Sequence, residues 1–292
     1  NKAAAWMDVV KIGRTHLQDA FPLSVGQEWC AWAEALRAAA ADVGHAREGL
    51  LEIALGGTAV GTGLNAPEGF SEDVAREIAQ LTRLPIRTAP NKFYAQATLD
   101  PFVRLSAALR GVAVALVKIA NDLRWMNSGP NAGLGEIQLA ALQPGSSIMP
   151  GKVNPVIPES AAMVAAEVIG NDATVTIAGQ SGNFELNVML PVIADNVLSS
   201  ISLLSNSAVL LADKAISTFQ VNEAQLNNAL HRNPILVTAL NPVIGYLKAA
   251  EIAKIAYRDN RSIIDVAAEN TEIDYAELQS LLDPHKLTEG GL

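Results

Sequence analysis

Apolar residues recur every three or four positions over four long stretches, and this spacing predicts four long helices. The first covers residues 24–55, with Ser24 placed as the N-cap and Gly56 and Gly57 placed to end it. The other three cover residues 100–126, 155–177 and 187–216. At a rise of 1.5 Å per residue such helices are about 30 Å long or longer, which favours an elongated bundle over an α/β sheet.

After residue 222 the pattern changes to shorter helices separated by prolines and Asn-rich turns. These are expected at about residues 245–257, 262–269 and 275–282. Strand signal is scarce, and residues 84–88 are the best short candidate. We therefore predict an all-α fold with two domains. A central long-helix bundle would cover residues 1–222, and a small C-terminal helical domain would cover residues 223–292.

The composition excludes several classes of protein. Hydrophobic residues make up 50% of the chain, and only 17% are charged, which is too apolar for disorder and favours burial between subunits. The net charge is -9, and no basic run interleaves with aromatic residues, so nucleic acid is not an expected partner. Charged residues such as Arg110, Asp195 and Asp213 interrupt the apolar stretches. We therefore expect a soluble protein without membrane spans.

Cysteine chemistry and metal binding are not expected. Cys30 is the single cysteine, and its position between Trp29 and Trp32 in a predicted helix favours a packed thiol over a nucleophile. The sequence contains no H-E-x-x-H or comparable ligand set, so we expect neither a metal nor a cofactor.

One loop concentrates polar groups between apolar helices. Residues 145–155 have the sequence GSSIMPGKVNP, which places the hydroxyls of Ser146 and Ser147, the Lys152 ammonium and the Asn154 amide between glycines and prolines. Loops on a rigid scaffold are typical places for binding and catalytic groups, so a ligand site is favoured over an ordinary surface turn. The loop is not a G-x-S-x-G motif and no strand precedes it, which argues against a hydrolase nucleophile.

A second polar segment, KIGRTHLQDA at residues 11–20, precedes the first long helix and is expected to be a loop. It contains His16, the one histidine among potential ligand-binding groups. Histidine titrates near neutrality and can give or take a proton, although a structural or solvated role is the alternative. Arg14 and Lys152 are candidates for attracting an anionic substrate to this acidic protein.

Two further features leave alternatives open. Glu159 lies at the start of a predicted helix, where a carboxylate either favours the helix dipole or orients a histidine and raises its basicity. Residues 56–65 are rich in glycine, but they follow a helix and match neither phosphate-binding pattern. Tight helix-to-helix packing is the better explanation for that segment.

These segments together resemble the fumarase/aspartase superfamily. Residues 145–155 match its signature GSSxMxxKxNP, and residues 13–19 and 57–65 match its other segments. The resemblance extends from about Val10 to the C-terminus and is closest to class II fumarate hydratases. The segments similar to those fumarases are residues 89–93, 118–122, 184–188 and 239–242. Because superfamily members carry a further N-terminal domain and the start of the bundle, we expect that part to be missing here.

The resemblance implies reversible hydration of fumarate to L-malate, by anti addition of water through an aci-carboxylate intermediate. It implies Ser146 as candidate base, His16 as the partner acid or water-activating group, and Glu159 as the residue that orients His16. Which of Ser146 and His16 takes the carbon-bound proton stays open. The residues that would hold the substrate carboxylates are Thr15, Ser147, Lys152, Val153 and Asn154.

The resemblance also implies a homotetramer in which three subunits contribute to each active site, and a cytoplasmic location with the mitochondrion as alternative. Aspartate ammonia-lyase is the nearest alternative activity, because it uses the same loop. Gly151 favours fumarase, since aspartases often have alanine at that position. A non-catalytic helical module that only assembles is the remaining alternative.

Overall fold

The computed structural model describes residues 1–290, which fold mainly into α-helices. The helices are α1 (Val25–Glu48), α2 (Phe70–Thr82), α3 (Lys92–Ala97), α4 (Asp100–Met126), α5 (Val156–Gly179), α6 (Leu190–Leu210), α7 (Glu223–His231), α8 (Asn241–Ile244), α9 (Tyr246–Asp259), α10 (Ile263–Asn270) and α11 (Tyr275–Leu281). Short 3-10 turns lie at Ala3–Trp6, Gly49–Leu51, Pro234–Leu240 and Lys286–Thr288. The prediction of a mainly helical bundle is confirmed.

The strands in this part of the chain form three small sheets of two strands each. They are β1 (Val10–Thr15), β2 (Gln18–Ser24), β3 (Glu52–Ile53), β4 (Arg87–Thr88), β5 (Ile137–Gln138) and β6 (Gln220–Val221). The pairs β1–β2 and β5–β6 are antiparallel, and β3–β4 is parallel. Of the strand predicted at residues 84–88, only the last two residues pair.

The first long helix begins where the sequence predicts and ends earlier. Ser24 Oγ accepts a hydrogen bond from the Gln27 N–H at 3.0 Å, and Gln27 Oε1 accepts one from the Ser24 N–H at 2.8 Å. This reciprocal arrangement is a capping box. The expected end at residue 55 is wrong. A 3-10 turn starts at Gly49, and the backbone of Glu52–Ile53 pairs with strand β4.

The other predicted long helices form nearly as expected. Helix α4 has the predicted bounds, and α5 lies within two residues of them. The predicted helix 187–216 starts later, at Leu190. It continues beyond α6 as one π-helical turn, Leu211–Ile216, where the Ser217 N–H donates to the Ala212 carbonyl at 2.8 Å. Helix α2 is amphipathic and was not predicted from the sequence.

The chain divides into two compact units. Unit 1 contains residues 1–33, residues 125–139 and the chain from residue 219 onward. Unit 2 contains residues 34–124 and 140–218. These units follow spatial proximity, whereas the predicted boundary between residues 222 and 223 follows sequence pattern and stays a prediction.

Unit 1 has a helical core and an aromatic cluster. Fully buried Leu240, Ile252 and Val266 belong to the core formed by the C-terminal helices. In the aromatic cluster, the Trp29 ring lies edge-on to the Phe219 ring with centroids 4.8 Å apart, and it is stacked with the Trp32 ring.

Cys30 is exposed, so the expectation of a packed thiol is wrong. Helix α1 turns about 100° per residue, so the residue after a buried Trp29 points away from the core.

Unit 2 is held by α5 and α6, which pack along each other and leave no exposure at Val175, Ala178 and Ile193. Polar side chains are also buried in this unit. The Asp172 carboxylate accepts hydrogen bonds from Ser106 Oγ at 2.7 Å and from the Arg110 guanidinium at 2.6 Å. Because each carboxylate oxygen has a donor, burial of this charge is tolerated.

Two helices, Val156–Gly179 and Leu190–Ile216, have the length and apolar composition of membrane spans. This differs from the expectation that charged residues interrupt every such stretch. Core helices of soluble proteins pass the same test of length and composition. Only 39% and 28% of the most apolar windows are buried, and side chains such as Met163 and Leu198 are exposed. In a single chain, much of the apolar surface of these helices is therefore open.

Candidate active site

His16 lies at the tip of a β-hairpin, and the expectation of a loop at residues 11–20 is wrong. Strands β1 and β2 pair as far as Thr15 and Gln18, which leaves His16 and Leu17 as a two-residue turn. Both turn residues have positive φ, 54° and 59°, as a type I′ turn requires. Histidine is among the residues that adopt positive φ more often, whereas the conformation is unfavourable for Leu17, and such strain is common at functional sites. The apolar–polar–apolar order of Val10, Lys11 and Ile12 is a short strand signal in the sequence, although all three side chains are buried.

Gly13 allows the hairpin its irregular register. Pairing shifts between Ile12, opposite Pro22, and Arg14, opposite Asp19. A Cβ atom at Gly13 would lie 2.6 Å from the Phe21 carbonyl oxygen, which is closer than real contacts allow. The strands can approach at this irregularity because position 13 lacks a side chain.

A buried ion network lies at the base of the hairpin. Lys11 is 1% exposed, and its Nζ donates to Glu136 Oε2 at 2.8 Å and to Glu28 Oε2 at 2.9 Å. The Arg14 guanidinium donates to Glu136 Oε1 at 2.7 Å. The expectation that Arg14 attracts an anionic substrate does not fit this geometry, because its charge is paired with Glu136. Lys11 and Glu136 were not predicted as functional residues, although a lysine between two apolar strand residues is a usable signal.

The serine loop, residues 145–155, is closed at its neck by hydrogen bonds. The Gly145 N–H donates to the Lys152 carbonyl at 2.9 Å, and Asn154 Nδ2 donates to the Gly145 carbonyl at 2.9 Å. A Cβ atom at Gly145 would lie 2.5 Å from the Lys152 carbonyl oxygen. Gly151 has φ 84°, which favours glycine. The Asn154 amide donor is thus engaged in closing the loop.

The closed loop presents its polar side chains to solvent. Ser146 is half-buried, and its Oγ accepts a hydrogen bond from the Ile148 N–H at 3.3 Å. Ser147, Lys152 and Val153 are exposed. Within residues 1–290, the Ser147 hydroxyl and the Lys152 ammonium make no hydrogen bond or ion pair with the protein. Both groups are therefore available to a ligand.

Glu159 lies in the first turn of α5 and is half-buried. Its N–H donates to the Pro155 carbonyl at 3.0 Å, and its carboxylate has no partner among the described residues. The position favours the helix dipole, and the carboxylate also remains free to accept a hydrogen bond from another group. Both interpretations from the sequence are compatible with this geometry.

The predicted site residues form two groups. Thr15 and His16 are adjacent in the hairpin of unit 1. The serine loop and Glu159 belong to unit 2. The serine loop brings together Ser146, Ser147, Lys152, Val153 and Asn154. Each unit therefore carries one part of the predicted chemistry.

The glycine-rich segment 56–65 packs tightly, as predicted. A Cβ atom at Gly61 would lie 2.7 Å from the Phe93 ring, and Gly57 lies against the side chains of Gln96 and Lys92 in α3. The N–H groups of Gly61 and Gly63 both donate to the Gly57 carbonyl at 3.0 Å. Its glycines therefore serve close packing.

Metal-ligand clusters and cavities are the other features that can mark a functional site. In the part of the chain that the structure describes, no cluster of three or more His, Cys, Asp or Glu residues could hold a metal ion. A cavity of about 410 Å³ in unit 2 is lined by residues such as Ile53, Leu99 and Phe102 and includes none of the predicted site residues.

Comparison with known proteins places the chain in a family. The sequence model described as Lyase matches residues 1–170, and that described as Fumarase C C-terminus matches residues 236–289. The chain therefore belongs to the lyase family of the first model, within the fumarase/aspartase superfamily. The resemblance inferred from the serine loop is confirmed.

Individual relatives agree with this assignment. Fumarate hydratase class II 2 of Pseudomonas aeruginosa is 60% identical over all of this chain, which spans 64% of that protein. The mitochondrial fumarate hydratase of Dictyostelium discoideum is 47% identical over 96% of this chain and 58% of its own. The crystal structure of class II fumarase from Schistosoma mansoni superposes with a TM-score of 0.95 at 37% identity, covering 98% of this chain and 63% of that one. The chain thus spans less than two thirds of these relatives.

We predict that Gly145→Ala opens the neck of the serine loop, because the added methyl group would collide with the Lys152 carbonyl. Losing the closing hydrogen bonds is expected to speed amide exchange in a peptide covering residues 145–155 roughly tenfold. Hydrogen–deuterium exchange with mass spectrometry measures this rate.

The control is Gly44→Ala in α1, where the added methyl group meets nothing within 4 Å. It should leave exchange in the serine loop unchanged. Equal exchange in the Gly145→Ala protein and the unmodified protein would contradict the closing role of this neck.

Proposed function

We propose that the complete protein catalyses the reversible hydration of fumarate to L-malate. The observation that supports this proposal is the closed serine loop, in which Ser146 lies near a Lys152 ammonium that has no partner among residues 1–290. The chain is 60% identical to a named fumarate hydratase. Because the chain spans 64% of that relative, the activity is proposed for the complete protein.

Ser146 acts as the base in this proposal. An unassisted serine hydroxyl is essentially neutral at pH 7, so its ionised form needs stabilisation. The Ile148 N–H already donates to Ser146 Oγ, and the Lys152 ammonium lies in the same short loop. Hydrogen-bond donation and positive charge both favour the oxyanion, which supports proton removal next to a substrate carboxylate.

His16 supplies the second proton-transfer group. Anti addition requires the proton and the hydroxyl to arrive on opposite faces of the double bond, so the two groups must approach from different sides. A histidine at the exposed tip of a hairpin can approach the substrate separately from the serine loop. Glu159, whose carboxylate lacks a partner in the described chain, would orient the imidazole and raise its basicity.

The remaining groups hold the two carboxylates of the substrate. Ser147 and Lys152 offer donors that have no partner in the described part of the chain, and Thr15 offers a hydroxyl beside His16. Val153 can contribute only its backbone, and Asn154 contributes through the loop that its amide closes. Each donor aimed at the developing negative charge would supply about 3 kcal/mol in a water-excluded site.

A homotetramer with shared active sites is part of the proposal. The exposed apolar faces of α5 and α6 support it, because a monomer seldom leaves such surfaces open. Neighbouring copies would bring the His16 hairpin of one chain to the serine loop of another. We also propose a small C-terminal domain over residues 223–292 and a cytoplasmic location, with the mitochondrion as alternative because one relative is mitochondrial.

Removing either proton-transfer group should abolish turnover. We expect Ser146→Ala and His16→Asn each to lower kcat at least about 1,000-fold in the complete enzyme, because each deletes a group that moves a proton. Steady-state assays of malate dehydration measure this loss, and size-exclusion chromatography checks that assembly is intact.

Two variants serve as controls for these substitutions. His285→Asn alters an exposed histidine outside both site segments and should leave kcat unchanged. Ser147→Ala should mainly raise KM, since that hydroxyl is proposed to bind and not to transfer a proton. Near-normal turnover of Ser146→Ala or His16→Asn would refute the role assigned to that residue.

The substrate itself discriminates between hydratase and ammonia-lyase. We expect the complete enzyme to form fumarate from malate and not from aspartate, measured side by side by the ultraviolet absorbance of fumarate. Activity on aspartate alone would replace the fumarase proposal by aspartate ammonia-lyase. Activity on neither substrate would favour the non-catalytic helical module.

Assembly should depend on the open faces of the two apolar helices. We expect the complete enzyme to show four times the chain mass by light scattering, and Met163→Glu on α5 and Leu198→Glu on α6 to reduce that mass. Both side chains are well exposed, at 71% and 66%, so the substitutions spare the core of the chain. Leu81→Glu on α2, at 84% exposure, is the control and should leave the mass unchanged. A stable monomer before substitution would contradict the tetramer.

A further inference from the structure

We propose that Glu136 is a positioning residue for His16, acting through the paired cations Lys11 and Arg14. The inference rests on the proposed function, in which His16 transfers a proton. Contacts within unit 1 would hold the hairpin, and the hairpin would hold the imidazole in place.

The side chains of the turn that contains His16 do little to fix its conformation. His16 and Leu17 both have positive φ, and both side chains are exposed. The His16 imidazole makes no hydrogen bond or ion pair within the described residues. A strained conformation persists only where the surrounding structure determines it, so its position depends on how the two strands are fixed.

Glu136 fixes strand β1 at two points. Its Oε2 accepts from Lys11 at 2.8 Å, and its Oε1 accepts from Arg14 at 2.7 Å. The second contact lies two residues before His16. One carboxylate thus holds two side chains of the same strand, which restrains the strand from sliding along its axis or rotating about it.

The carboxylate is itself anchored by the main chain. The Glu136 N–H donates to the Met126 carbonyl at the end of α4, at 2.8 Å. The Glu136 carbonyl accepts from the Asn222 N–H, also at 2.8 Å, just before α7. Its side chain is 4% exposed. Strand β1 is therefore tied to a residue that two other elements hold in place.

The opposite strand has its own buried anchor. Asn233 is 1% exposed, and its Nδ2 donates to the Ala20 carbonyl of β2 at 2.9 Å. Its Oδ1 accepts from the Ile235 N–H at 3.0 Å, which fixes the amide orientation. Both strands are thus held by buried polar side chains, while the turn between them is exposed.

The charges in this cluster balance. Lys11 and Arg14 face Glu136, and Glu28 completes the set with two hydrogen bonds to Lys11 at 3.1 and 2.9 Å. Apolar residues of similar size often stabilise a fold as well as a buried ion network does. Charged hydrogen bonds also fix the relative orientation of the groups that they join, and here they fix the strand that leads to His16.

The test compares Glu136→Gln with Asp172→Asn in the complete enzyme. Each variant neutralises a buried carboxylate that accepts hydrogen bonds from two other side chains, and the donors to Asp172 are Ser106 and Arg110 of the same unit, unit 2. We expect Glu136→Gln to lower kcat roughly 10- to 100-fold with KM changed less than about twofold, because a small displacement of a catalytic group has an effect of this size. Asp172→Asn should lower the melting temperature and leave kcat near normal.

Arg14 supplies a milder pair of variants should Glu136→Gln fail to fold. Arg14→Gln removes the anchor nearest His16 and keeps the Lys11–Glu136 and Lys11–Glu28 pairs, so kcat should fall several-fold. Arg14→Lys restores a cation next to Glu136 and should recover most of that loss. Hydrogen exchange should quicken at residues 10–24 in Arg14→Gln and not in Arg14→Lys.

The outcomes separate this inference from the proposed function. If His16→Asn keeps near-normal turnover, the proposed function fails, and the inference fails with it. If His16→Asn abolishes turnover while Glu136→Gln and Arg14→Gln retain normal kcat, only the positioning role is overturned. A rise in KM with unchanged kcat in these variants would also overturn it, since misplacing a proton-transfer group lowers kcat.

Discussion

A charge buried in a protein must be paired, and this constraint shapes both units of the chain. In unit 1 the Lys11 ammonium lies between Glu28 and Glu136 with almost no exposure. In unit 2 the Asp172 carboxylate has one donor for each oxygen. Breaking such a pair by removing one partner leaves an uncompensated charge and costs about 3–5 kcal/mol. Each network therefore favours one packing arrangement of its elements over shifted alternatives.

The four long helices could be located from the sequence because their signals are local. The apolar spacing and Pro101 define α4, and Ser24 with Gln27 defines the start of α1. The end of α1 could not be predicted, because the pairing partner of Glu52–Ile53 lies about 35 residues further along the chain. Cys30 is exposed although Trp29 and Trp32 are buried, because neighbouring positions of a helix point in different directions.

The two groups of candidate site residues also differ in how well they could be predicted from the sequence. The serine loop could be located from composition alone, since Ser146 and Lys152 are unusual neighbours of apolar helices. The hairpin at residues 10–24 gave a weaker signal, because the apolar–polar–apolar order is limited to Val10, Lys11 and Ile12 and its polar half lacks that alternation. Glu136, one of the two partners of Lys11, is 125 residues away, so this part of the ion network follows only from the tertiary fold.

The neck of the serine loop has a consequence for the residues at its tip. The hydrogen bonds that close the loop join Gly145 to Lys152 and Asn154. Ile148, at 84% exposure, lies outside that closure and packs against little of the protein. A change of its side chain alters the surface that the loop offers to its surroundings and leaves the closing bonds intact. Contact chemistry and loop geometry are thus encoded by different residues and can vary independently.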